Sequence, residues 1–133
     1  MPSALNLLES LDDSFTTELA QFNIEANLDP SEHTGECFSQ LEKNSNDKMN
    51  TLRELGDKQK LDFFLTGILP TIRKFDLGIE NLTPLERYRS LLNAISKMRG
   101  NNYKLRIKGL DELNLKHDSA MLESCNTSFQ VHL

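Results

Sequence analysis

The 133 residues fit one domain, and at this size roughly two-thirds of the unfolded surface can be buried. An apolar fraction of 38% lies below the usual roughly 45–50%, so the core is expected to be thin or completed by partner chains. A net charge of -5, with no apolar run approaching bilayer length, argues against a membrane span and lowers the odds of nucleic acid as the main target.

Twenty-three leucines stand against six isoleucines and one valine, a balance that favours helices over pleated sheets. From Ser3, the residues Ala4, Leu8, Leu11, Phe15, Leu19, Phe22 and Ala26 step by three and four positions, which predicts a helix over 3–28. Its mean step of about 3.67 is nearer an 11-residue repeat than a heptad. Asp29-Pro30-Ser31-Glu32 reads as a capped start for a second helix near 31–59. Within it Phe38, Leu41, Ser45, Lys48, Leu52, Leu55 and Gln59 form a coiled-coil-like heptad with polar defects at its centre, which reads as one interrupted helix or as two helices joined by a loop around Asn44 to Asn46.

Leu61, Phe64, Leu65, Ile68, Ile72 and Phe75 suggest a third helix over 60–75, broken near Leu69 by Pro70. Thr83-Pro84-Leu85-Glu86 has the form of a capping box opening a helix over 84–99, and Gly100 closes it. Tyr103, Leu105 and Ile107 alternate with Lys104, Arg106 and Lys108, which reads as a strand or docked loop with no obvious partner. A last, weakly periodic helix is expected over 110–123, followed by a flexible tail over 124–133.

Charge is strongly polarised along the chain. Residues 1–42 hold nine acids and no lysine or arginine, whereas 87–108 hold seven bases and no acid. Either the two segments neutralise each other inside the fold, or they present separate surfaces to partners. The basic patch, Arg87, Arg89, Lys97, Arg99, Lys104, Arg106 and Lys108, is then also a candidate nucleic-acid contact, with Tyr103 available to stack on a base.

Chemistry is sparse. His33 and Cys37 share a helical spacing, but two ligands fall short of a zinc site, and Cys37 has Glu32 and Glu36 beside it where an activated thiolate needs an electropositive setting. Asp12 and Asp13, adjacent on a helix, point about 100° apart. Ser10 precedes acids as acid-directed kinases prefer, and Val131-His132-Leu133 offers a short alternating peptide. Glycines match neither a dinucleotide fingerprint nor a phosphate loop. Two isolated cysteines and the absence of a basic leader before an apolar core point to a reduced, intracellular protein.

The fold expected from these patterns is all-α, a small irregular helical bundle or extended helical hairpin of about four to five helices over 1–123. In composition the chain resembles small accessory subunits of eukaryotic multiprotein assemblies, such as chromatin-modifying, kinetochore or tethering complexes. The implied role is a non-catalytic subunit without cofactor, metal or small-molecule substrate. It would bind protein partners in a hetero-oligomeric complex, nuclear and chromatin-associated rather than cytoplasmic, through leucine-rich faces: the stripe of Leu8, Leu11, Phe15, Leu19 and Phe22 and the helices expected after residue 61. The alternatives are a nucleic-acid-binding module using 87–108 and a stand-alone adaptor or enzyme regulator.

Overall fold

The structure, a computed structural model, describes residues 2–100 and 103–131. It is a mixed α/β fold and not the expected helical bundle. Three α-helices, α1 (Ala4–Leu8), α2 (Cys37–Gln59) and α3 (Glu86–Arg99), combine with two antiparallel hairpins, β1 (Phe15–Thr17) with β2 (Ile24–Ala26) and β3 (Tyr103–Lys108) with β4 (Glu112–His117). Short 3-10 turns occupy Lys74–Leu77, Ile79–Asn81 and Ala120–Cys125.

The helix expected over 3–28 stops after one and a half turns. Asp12 accepts the Ser14 amide at 2.9 Å and also the Ser14 hydroxyl, a local turn that competes with helix hydrogen bonding. Beyond it the buried positions are Phe15, Thr17 and Leu19, a two-residue period. Thr17 is polar, so the alternation is invisible in the apolar pattern, and the three- and four-residue steps from Phe15 to Phe22 only imitate a helix. Asn27 closes the β1–β2 hairpin by donating its amide to Ser14 O at 2.7 Å.

Helix α2 is continuous through the polar KNSNDK stretch. Leu41, Ser45, Lys48, Leu52 and Leu55 are its half-buried or buried stripe, while Phe38 at the exposed start is 69% accessible. It ends where Lys60 takes a left-handed conformation, φ 58°, and Leu61 N–H returns to Gly56 O at 2.9 Å. That return places Leu61 O against Gly56, where a Cβ would sit 2.3 Å away. Near its middle, Lys48 pairs with Asp12 at 3.4 Å and lies over the Phe15 ring at 5.1 Å, tying α2 to the first hairpin.

No α-helix forms over 60–75. Gly67 and Pro70 disfavour one, and the extended chain instead pairs Ile68 with Asn126, while the Thr127 amide donates to Thr66 O at 3.1 Å. The start of the expected tail is thereby docked, although His132 and Leu133 lie outside the described residues. Over 110–123 the expected helix is replaced by β4 and the Ala120–Cys125 turn. Glu112, Asn114 and Lys116 alternate with Leu113, Leu115 and His117, which supplies the partner that β3 lacked in the sequence reading.

Thr83 does not cap α3. It is fully buried, with its hydroxyl donating to Glu18 O at 2.6 Å and its amide to Leu19 O at 2.9 Å, so the residue before the helix is Leu85, without a side-chain cap. Gly100 does close the helix, at φ 81°. The core gathers Leu19, Ala20, Leu77, Leu82, Tyr88, Leu92 and Met121, with Phe22, Ile72 and Leu122 packed around it.

Gly56→Ala is expected to destabilise the fold. Overpacking against a backbone carbonyl, at about 1–3 kcal/mol, outweighs the roughly 1 kcal/mol helix-propensity gain. Gly67→Ala, with nothing within 4 Å of its Cβ, is expected to be neutral or stabilising. Urea unfolding of both variants checks the contrast.

Asp12 has its carboxyl held below the ordinary value of 3.8 by the Ser14 hydroxyl and amide and by Lys48. A depressed folded-state value contributes stability that is present above 3.8 and lost as pH falls through the folded value. The thermal midpoint of Asp12→Asn is therefore expected below that of the parent at neutral pH. In strong acid the two should converge, as scanning calorimetry across pH would show.

Candidate interaction surface

The five leucine-stripe residues proposed for partner contact divide between the core and its margin. Phe15 and Leu19 are buried, Phe22 packs against the central cluster, and Leu8 and Leu11 are half-buried. Most of the apolar area of this stripe thus faces the chain's own interior.

The basic patch likewise splits into groups with different surroundings. Arg87 turns back on the body. Its Nη2 donates to Thr17 Oγ1 at 2.8 Å and to the Tyr88 hydroxyl at 2.5 Å, with the guanidinium 4.5 Å from the Tyr88 ring centre. The Tyr88 hydroxyl in turn donates to Thr17 O at 2.6 Å. Arg89, one residue beyond Tyr88, borders an open groove between Ile79, Leu82 and Leu92. Lys97 and Arg99 lie in the last turn of α3, and Arg99 stacks over Tyr103 at 5.6 Å.

Lys104, Arg106 and Lys108 project from one face of β3 because they occupy alternate positions. The register sets Lys104 opposite Lys116, Arg106 opposite Asn114 and Lys108 opposite Glu112. Arg106 reaches diagonally to Glu112, Nε to Oε1 at 2.8 Å and Nη2 to Oε2 at 3.2 Å. That fork, followed by the Asn114 amide, holds the Glu112 carboxyl below its usual range. The other face of the ribbon carries Tyr103, Leu105, Ile107, Leu113, Leu115 and His117.

Acidic 1–42 and basic 87–108 do touch, through Arg87 on Thr17, but among the described residues no ion pair joins them. Lys48 takes the one N-terminal acid that is paired.

A separate apolar surface lies after residue 61, within the region expected to meet partners, and includes part of the C-terminal tail. Phe64 and Leu65 are 67% and 69% accessible, Ile68 54%, and Phe129 and Val131 each 67%. They flank the Thr66–Thr127 and Ile68–Asn126 pairings, so the extended chain before Pro70 and the one after Cys125 bring exposed apolar side chains into one neighbourhood. The sequence signal was present in LDFFL, whose two adjacent phenylalanines and flanking leucines overload one helical turn.

Candidate chemistry is dispersed. His33 packs edge-on against Phe38 at 5.7 Å, Cys37 opens α2, and Cys125 lies at the core margin where burial pushes its thiol up, away from thiolate chemistry. Buried His117 accepts the Ser119 amide at 3.1 Å on Nδ1. Among the described residues no three His, Cys, Asp or Glu side chains converge as metal ligands, and no helix is long and apolar enough to cross a membrane. A cavity of about 50 Å³ between α1 and residues 61–63 has room for little more than a water.

Arg87→Ala is expected to cost about 1–2 kcal/mol, because it strips donors from Thr17 and Tyr88, whereas Arg89→Ala should stay within about 0.5 kcal/mol of the parent. Chemical denaturation of the two variants separates a structural arginine from a surface one. Comparison with protein families, with curated proteins and with solved structures yields no match for this chain.

Proposed function

We propose that this protein is a non-catalytic subunit whose exposed patch of Phe64, Leu65, Ile68, Phe129 and Val131 is covered by a partner protein. The observation that carries the reading is the clustering of these large apolar side chains, each more than half accessible, on two extended segments. Single exposed apolar residues are ordinary, but several on two paired segments of irregular chain mark an interaction surface. Among the described hydrogen bonds none involves the backbone of residues 62–65, which leaves amides and carbonyls that a partner strand can complete.

Of the two regions expected to meet partners, the N-terminal stripe faces largely inward, so the reading rests on the region after residue 61.

A photo-crosslinking residue placed at Phe64 or Phe129 in the protein's own cells is expected to capture the same partner. One placed at Asn46, on the polar face of α2, should not. The paired substitutions Leu65→Ser and Phe129→Ser should abolish capture while shifting stability by no more than about 1 kcal/mol in all. If both sites fail to crosslink, or if the serine variants unfold the isolated chain, the patch is not a partner surface.

A further inference from the structure

We infer that the basic face of the β3–β4 ribbon binds the phosphodiester backbone of a nucleic acid without sequence preference. The inference is independent of the protein-partner surface, which lies on other segments. It starts from the register, which places Lys104 directly opposite Lys116. Two ammonium groups facing each other across an antiparallel pair repel, and an isolated two-stranded ribbon is a poor place to carry that cost. Among the described residues neither lysine has an acidic partner, and Lys108 loses its cross-strand Glu112 to the Arg106 fork. Three ammonium groups thus stand free on one flat face, and an anion set between the strands would relieve the Lys104–Lys116 repulsion.

Spacing specifies the anion. With Arg106 engaged by Glu112, the free lysines Lys104 and Lys108 stand four positions apart on β3, about 13 Å, comparable with alternate phosphates on an extended strand. A ribbon two strands across also enters a major groove about 12 Å wide. At the root of the ribbon, Lys97 and Arg99 extend the positive potential along the end of α3. Lysine acts as a point charge, indifferent to the orientation of the phosphate, while the arginine that could read a base edge in bidentate fashion is occupied by Glu112. Hence the contact is to backbone and carries no base readout.

The arrangement disfavours a lipid surface. Ile107 and Leu113, which could enter a bilayer, lie on the opposite face from the lysines, and Asp111 and Glu112 flank the exposed Leu110 at the tip. A membrane contact needs basic and apolar groups on the same side.

The test uses the full chain and labelled RNA, single-stranded DNA and duplex DNA of mixed sequence. Binding at low salt is expected to weaken between about 50 and 200 mM salt with a log–log slope of roughly -2 to -4.5, corresponding to about three to five phosphates. Lys104→Thr with Lys116→Thr should lose about tenfold or more in affinity at low salt while its thermal midpoint rises, because a threonine pair suits facing strand positions. Lys43→Thr with Lys58→Thr on α2 should bind as the parent does. In the unaltered chain, amine-reactive footprinting should show Lys104, Lys108 and Lys116 protected by the oligonucleotide and Lys43 and Lys58 not protected.

Absence of binding to all three nucleic acids at low salt overturns the inference. So does equal binding by the ribbon double variant, protection confined to the α2 lysines, or equally tight ribbon-dependent binding to anionic vesicles or polyglutamate.

Discussion

The fold depends on a short clasp between two segments some sixty residues apart. Thr83 N–H donates to Leu19 O, Gln21 N–H donates to Asn81 O, and Ala20 bridges Leu82 between them. The Thr83 hydroxyl on Glu18 O and the Gln21 amide on Asn81 Oδ1 lock the same contact from its side chains. Ala20, with no accessible surface, admits this approach because its side chain is a single methyl. Each member of the core is placed by reference to the clasp. Tyr88 lies in the first turn of α3 just beyond Thr83, Leu92 one turn further, and Met121 joins them while Asn23 Nδ2 donates to Ser124 O at 3.0 Å.

Outside that centre the molecule thins quickly. Most of α2 is solvated, the β3–β4 ribbon buries only its root at His117, and the extended chains around Thr66 and Thr127 expose large apolar side chains. A compact centre with three weakly anchored extensions accounts for the low apolar fraction without a deficient core. The apolar residues are numerous enough, but they are distributed between inside and outside. The two candidate contact surfaces fall on different extensions, so protein and nucleic-acid partners could be held at once without competing for the same residues.

Local pattern made some elements legible in the sequence. Helix α2 emerges from a heptad whose polar members Ser45 and Lys48 take half-buried places, and α3 from the leucine spacing that ends at Gly100. The β3 alternation was also visible. Failure came where a polar residue holds an interior position or an apolar one an exterior position. Thr17 is buried because Arg87 and Tyr88 satisfy it from 70 and 71 residues away, a partnership that no window of neighbouring residues can reveal. Thr83 looked like a cap because its local spacing suited one, yet a distant carbonyl outcompeted the adjacent amide. Leu110 and Leu113 suggested a helix when grouped with the later apolar cluster, whereas pairing Glu112 to His117 with β3 leaves Leu110 at the turn and Leu113 on a ribbon face, both exposed. For the candidate surfaces, the sequence supplied the list of bases but not which of them are spoken for. Arg87 and Arg106 are engaged, and Lys116, from outside the basic segment, joins the ribbon face.

The Ala20–Leu82 clasp also dictates an order of events in folding. Helices α2 and α3 need only local contacts and can form within microseconds, but the clasp must close a loop of roughly sixty residues, and the core then waits for Met121. On a ribosome, the acidic first segment would therefore emerge long before its interior partners exist. Leu19 and Ala20 would lack their full set of core neighbours until Met121 follows about a hundred residues later. With all nine of its charges negative, that segment is kept soluble by self-repulsion during the interval. Charge that does little for the finished core thus protects the nascent chain from association before the core can close.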